Sequence, residues 1–287
     1  MTLNTKKRIG MSRNDQNTAA MTPDLLHYDL GEEVIAFSSR RAGGVSEGNY
    51  ASFNVNGYCG DNTLHVSTNR QLLCDYLHIE PSCLVLPHQT HSTRVKVIDE
   101  AVMNLSPLQR AAVLEGVDGL ITAQRGVCIG VSTADCIPVL LYDPVHEVIA
   151  AVHAGWRGTV GRIVVETLSE MFRTFQTSAA DLRVAIGPGI SGDAFEVGNE
   201  VYETFVSAGF PMDRLAVQKP SIRNTAEQSW FIDLWEANRL QLESRGVLPE
   251  HIHLAGICTY QHADEFFSAR RLGINSGRIY NGILLKQ

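Results

Sequence analysis

The sequence has no CxxC pair, no internal repeat and no low-complexity block. Its six cysteines, Cys59, Cys74, Cys83, Cys128, Cys136 and Cys258, follow no regular spacing. A chain of 287 residues buries enough apolar surface to fold without staples. A disulfide scaffold is therefore excluded, and a reducing cytoplasm is the expected location. No apolar run is long enough to span a bilayer. Residues 1–22 are polar, with Lys6, Lys7, Arg8 and Arg13, and lack the apolar stretch of a secretory signal. They read as a disordered tail before one catalytic domain at 23–287, with Met11 and Met21 as alternative starts. Positive charge is also short: the formal net charge is -7. Such a chain repels a phosphate backbone, so nucleic acid is not the expected partner.

What is present is an ordinary globular composition, 44% hydrophobic and 19% charged. Short β-branched runs at 34–38, 83–86, 95–98, 120–121, 127–131, 137–142, 148–152, 184–186, 252–257 and 279–285 read as strands. Helical spacing marks 68–77, 160–175, 197–208 and 234–244. Strands and helices interleave, but hairpins occur too, which predicts mixed sheets with helices packed on them. The turn-rich stretch 40–62 is too long for a simple connector and is expected to be an ordered or functional loop. Residues 187–192, GPGISG, have the wrong spacing for a dinucleotide fingerprint and read as a tight turn.

Residues 136–153 carry the most chemistry. Asp143-Pro144 at their centre is a β-turn signal between two apolar runs, so the segment reads as an antiparallel hairpin. A symmetric turn with Asp143 facing His146 sets Cys136 opposite His153. Opposed residues have Cβ atoms about 4.5–5.5 Å apart. A metal held by a thiolate and an imidazole fits that span. Gly155 and Gly158 follow in HAGWRG, where glycine allows close approach to a ligand. A third ligand is available in HQTHS, as His88 or His91, and the hairpin does not choose between them.

The motifs SSRRAGGVSEGNYASFNVN, HQTHSTRV, GVDGLIT, STADCIPVLLYD, AAVHAGWRGT, AIGPGIS, FIDLWEANRLQL and FFSARR occur in that order. In this combination the sequence resembles the laccase-domain, or polyphenol-oxidase-like, bacterial proteins over nearly all of the chain after about Val34. The resemblance implies an α+β fold, with two mixed sheets stacked between helical layers. It implies purine nucleoside phosphorylase activity with adenosine deaminase activity alongside. It also implies that His91, Cys136 and His153 hold zinc and that His88 does not. Ser92 stands where the family often has glycine.

Three protein ligands and an open position are the catalytic zinc pattern. In that reading Asp135 is the local carboxylate for proton transfer. Arg41, Arg157 and Arg270 lead the candidates for holding phosphate, with Arg70, Arg271 and Arg278 behind them. Competing readings are a zinc hydrolase editing a muramyl-nucleotide precursor and a copper polyphenol oxidase. A Cys and two His also suit copper, but a trinuclear centre needs several HxH clusters and the sequence has one, His251-Ile252-His253. A metal-free Cys136 nucleophile activated by His153 leaves His91 idle. A non-catalytic module binding through 40–62 is the remaining class. Trp230, Phe231 and Trp235 read as core, and Phe266 and Phe267 as core or as a wall for a purine.

Overall fold

A computed structural model describes residues 21–287. The expected tail falls almost wholly on residues outside that range. The first strands are β1 (Leu25–Tyr28), β2 (Val34–Ser39), β3 (Leu84–Val85), β4 (Val95–Val97) and β5 (Gly119–Thr122). Next come β6 (Cys128–Thr133), β7 (Ile137–Asp143), β8 (Val148–Ala154), β9 (Arg183–Ile186) and β10 (Glu196–Val197). The last are β11 (Ala216–Pro220), β12 (Gln228–Ile232), β13 (Ile252–Leu254) and β14 (Ile279–Leu285). The helices begin with α1 (Thr63–Leu77), α2 (Glu100–Met103), α3 (Pro107–Val113), α4 (Trp156–Val160) and α5 (Ile163–Phe175). They end with α6 (Asn199–Ser207), α7 (Met212–Leu215), α8 (Leu234–Ser244) and α9 (Ala269–Leu272).

Two mixed sheets dominate, in the orders β1-β2-β14-β6-β3 and β13-β9-β7-β8-β5-β4. A small antiparallel sheet, β10-β12-β11, stands beside them. The alternation of side chains along β8 sorts the layers. Ile149 and Ala151 join Ile129, Val131 and Ile283 of the other sheet in a buried layer between the sheets. Val148, Ala150 and Val152 face the other way, against Ile163, Val164, Leu168 and Met171 of α5. On the outer face of the five-stranded sheet, Phe37 and Tyr280 pack against Leu73 and Leu77 of α1. The result is the expected α/β/β/α sandwich. Burial on both faces explains why β7 and β8 read as continuous apolar runs.

Two helix starts differ from the sequence reading. Asn62 caps α1 by accepting the Leu64 amide at 2.8 Å, so the helix begins at Thr63 and not at 68. The helix expected at 160–175 is two, because Arg162 takes φ 66 between α4 and α5. Its guanidinium carbon lies 3.9 Å from the Phe210 ring centre. The sequence reading places no strand at 196–197, 216–220 or 228–232, where the small sheet forms.

The loop at 40–62 is ordered by one side chain. Asn69 of α1 is fully buried. Its Oδ1 accepts the Val45 amide at 2.9 Å, and its Nδ2 donates to the carbonyls of Ser52 and Asn54 at 3.1 and 2.9 Å. This leaves Asn56, Tyr58 and Cys59 at the mouth of the cavity described next.

Candidate metal centre

The hairpin forms, but its register differs from the symmetric one. Pro138, not Cys136, lies opposite His153, and Asp143 pairs with Val148. The loop therefore has four residues. Asp143 Oδ1 accepts the amides of Val145 and His146 at 2.9 and 3.1 Å, and Glu147 takes φ 53. A turn of this kind splays strands joined by two residues and is relieved by a longer loop. Cys136 precedes β7 by one residue and is thus diagonal to His153 on the same face. That face is the layer between the sheets, and His153 extends the row of Ile149 and Ala151 to its open end.

His91 arrives on the loop between β3 and β4, with φ 61. The ligand atoms of His91, Cys136 and His153 all lie within 4.8 Å of one another. Cys136 Sγ is 3.9 Å from His91 Nε2. The two imidazoles meet edge to face, with ring centres 4.9 Å apart. Among the described residues no other such cluster of His, Cys, Asp or Glu occurs.

Asp118 organises this centre, and the sequence reading gave it no role although it lies in GVDGLIT. Its fully buried carboxylate accepts from His153 Nδ1 at 2.7 Å. It also accepts three successive loop amides: Thr90 at 3.1, His91 at 3.1 and Ser92 at 2.8 Å. Its carbonyl takes the His153 amide at 2.8 Å. One aspartate thus fixes the His91 loop and leaves His153 Nε2 as the ring nitrogen facing the cluster. Burial pushes the Asp118 carboxyl up, but His153 and Ser92 outweigh it and hold it below the ordinary value. Ser92 donates its hydroxyl to Gly116 O at 2.7 Å, a bond glycine at this position lacks. Gln89 pins the same loop to β6, accepting the Ser132 amide at 2.7 Å and donating to its carbonyl at 2.9 Å.

The donor set suits a soft divalent ion. Burial raises the Cys136 thiol, but the two imidazoles outweigh it and favour the thiolate. His153 is driven the other way: burial lowers it, and Cys136 with Asp118 raises it further. Gly155 leaves the space. A Cβ there would stand 3.0 Å from Cys136 Sγ and 3.1 Å from His91 Cδ2. His88 lies at the cavity rim, bonded to Glu115 at 2.9 Å and stacked on Tyr58 at 4.2 Å. It is not part of the ligand cluster.

The cluster opens onto a cavity of about 300 Å³, whose walls include Tyr58, Cys59, Ser132, Thr133 and Arg278. The structure does not bring Asp135 into it. Asp135 Oδ1 accepts from Thr259 Oγ1 at 2.7 Å and Oδ2 from the Arg270 amide at 2.6 Å. Its carbonyl takes the Ile190 amide at 2.8 Å, so the GPGISG turn braces Cys136 from behind. Arg41 donates to the carbonyls of Ala51 and Ala263. Arg157 lies over Trp156 at 4.3 Å. Arg270 donates to Glu196 O at 3.1 Å. None of these three arginines lines the cavity; the described arginine that does is Arg278. Arg70 donates to Val55 O at 2.8 Å, and Arg271 lies over Tyr260 at 5.2 Å. Phe266 and Phe267 are fully buried, and so is Phe231.

Fold and cluster together define an α+β protein built on two large mixed sheets, with one His–Cys–His cluster able to hold a metal among the described residues, at the end of the layer between those sheets. The family model described as multi-copper polyphenol oxidoreductase laccase matches residues 35–286, and the chain belongs to that family. It is 52% identical to a purine nucleoside phosphorylase of Bacteroides thetaiotaomicron, over 87% of this chain and 90% of that one. It is 44% identical to the adenosine deaminase RL5 of an unknown prokaryotic organism, over 89% and 95% of the two chains. The crystal structure of the hypothetical protein YfiH from Bacillus licheniformis superposes with a TM-score of 0.83 at 28% identity, covering 92% of this chain and 97% of that one. YlmD from Geobacillus stearothermophilus gives 0.81 at 29% identity, over 91% and 94%.

Proposed function

We propose that this protein is a zinc-dependent purine nucleoside phosphorylase that also deaminates adenosine. The observation that carries the reading is a three-ligand cluster opening onto a cavity of nucleoside size. Relatives named for both activities, at 52% and 44% identity, support the substrate class. His91, Cys136 and His153 would hold the ion. When bound, zinc supplies a Lewis acid that polarises a substrate oxygen or activates water. The chain's own part is to hold geometry: Asp118 orients His153 and the His91 loop, and Gly155 keeps the space open. In phosphorolysis a phosphate oxygen attacks the ribose C1′ while the C1′–N9 bond breaks. The purine leaves as it takes a proton. The catalytic unit is residues 23–287, acting in the cytoplasm.

A copper oxidase is the second reading, favoured by the family's description and by a ligand set that copper also accepts. Against it, the described residues offer one cluster of three donors. Metal analysis of the purified protein separates the two. The proposal expects about one zinc per chain, as one open catalytic site requires, and loss of phosphorolysis on chelation that zinc restores. Stoichiometric copper, or phosphorolysis that survives complete metal removal, would refute it.

A further inference from the structure

Phosphorolysis needs a place for a dianion, and the arginines expected to provide it lie outside the cavity. Arg278 is the lysine or arginine that lines the cavity among the described residues, and no aspartate or glutamate lines it. The guanidinium has no carboxylate partner within ion-pair distance among those residues. It is nonetheless fixed in place. Nη1 donates to the carbonyls of Ser276 and Gly277 at 2.6 and 3.0 Å, and Nη2 to Ile274 O at 2.9 Å. These acceptors are neutral, so the positive charge stays uncompensated, and Nε–H has no partner among the described residues. Asn54 Oδ1 accepts the Arg278 amide at 3.1 Å and locks the backbone as well. An immobilised cation binds an anion without the cost of ordering a long side chain.

A second, independent feature lies in the same cavity. Ser132 is 6% exposed, and its Oγ is buried with no hydrogen-bond partner among the described residues. A buried hydroxyl left unpaired costs about 1–3 kcal/mol, a cost that a ligand accepting its hydrogen bond would offset. Ser132 lies opposite Tyr280 in the β6–β14 ladder, and Arg278 is two residues before Tyr280. Both residues therefore lie at the same end of the sheet, where β14 begins and β6 ends.

We propose that Arg278 and the Ser132 hydroxyl form the anion subsite of this cavity, and that it takes inorganic phosphate or the phosphate of ribose 1-phosphate. The inference rests on the phosphorylase reading for its ligand, but its test is separate. Inorganic phosphate is titrated calorimetrically into the metal-loaded full chain. Phosphate and adenosine saturation are measured on the same preparations. Ser132→Ala, which leaves the Arg278 loop intact, should weaken phosphate binding about 10-fold, the loss of one hydrogen bond to a charged group. Arg278→Lys keeps the charge but loses the fork, and should raise the phosphate KM by a similar factor, about 10-fold, with the adenosine KM within about twofold. Metal content and thermal unfolding of each variant establish that it is folded. Unchanged phosphate affinity in both variants, or equal weakening toward phosphate and adenosine, would overturn the subsite. Phosphate binding that depends on both residues in a protein without phosphorolysis would keep the subsite and remove the phosphorylase reading.

Discussion

Asp118 holds both a ligand and the loop that carries another, so its loss should be felt through the metal. Replacing a carboxylate behind a ligating histidine lowers metal affinity by about 10- to 100-fold. Asp118→Asn is expected to fall in that range, measured by competition with a chelator of known affinity; wild-type affinity would show that it does not position the ligands. Cys136→Ala should lose stoichiometric metal and turnover, because it removes the thiolate of a three-donor set. His88→Ala should keep its metal, since His88 is bonded to Glu115 and stacked on Tyr58; metal loss there would make His88 a ligand. Cys136 and His153 stood out in the sequence because turn residues and glycines flank them, whereas His91 was separated from His88 only by the family resemblance; the structure gathers these three side chains in one cluster. Asp118 was not, because a lone aspartate before a strand carries no spacing signal. Asp135 misled for the opposite reason: adjacency to Cys136 in sequence says nothing about which way a carboxylate turns at φ 87.

At the scale of elements, the hairpin shows how a correct motif can give a wrong register. Asp-Pro identified the turn, but the loop length depends on Glu147 adopting a left-handed backbone, which a glutamate does not advertise. Asp143 is fully buried in that turn. Burial pushes its carboxyl up, yet Thr177, His146 and two backbone amides outweigh this and bring it below its ordinary value of 3.8. A depressed folded pKa gives stability that is complete above the unfolded value and is lost as pH falls through the folded one. The wild type should therefore exceed Asp143→Asn in Tm at neutral pH, and the gap should close in acid as pH falls through the lowered folded value. A gap independent of pH would rule out a charged Asp143 as its source. Asn69 plays the same part for the 40–62 loop. Asn69→Ala strands several buried groups and should cost about 2–4 kcal/mol in denaturant unfolding. A change below about 0.5 kcal/mol would deny it that role.

For the whole molecule, short apolar runs marked every strand of the two large sheets except β1, and helical spacing marked the longer helices that cover them. The pairing order was not legible, because buried strands carry apolar residues on both faces and lose the alternation that reveals a register. The small sheet β10-β12-β11 lacks even the apolar runs. The stacking of the sheets sets the place of the His91–Cys136–His153 cluster, which sits where their shared layer reaches the surface. Donors from a strand, a strand entry and a loop converge there. The reaction proposed for this centre is cleavage of the glycosidic bond of a purine nucleoside by phosphate. Its most direct test is product analysis after incubating the metal-loaded protein with adenosine, with and without phosphate. Adenine and ribose 1-phosphate formed only when phosphate is present, with inosine alongside, is the predicted result. Neither adenine nor inosine from protein carrying its full metal complement would contradict it.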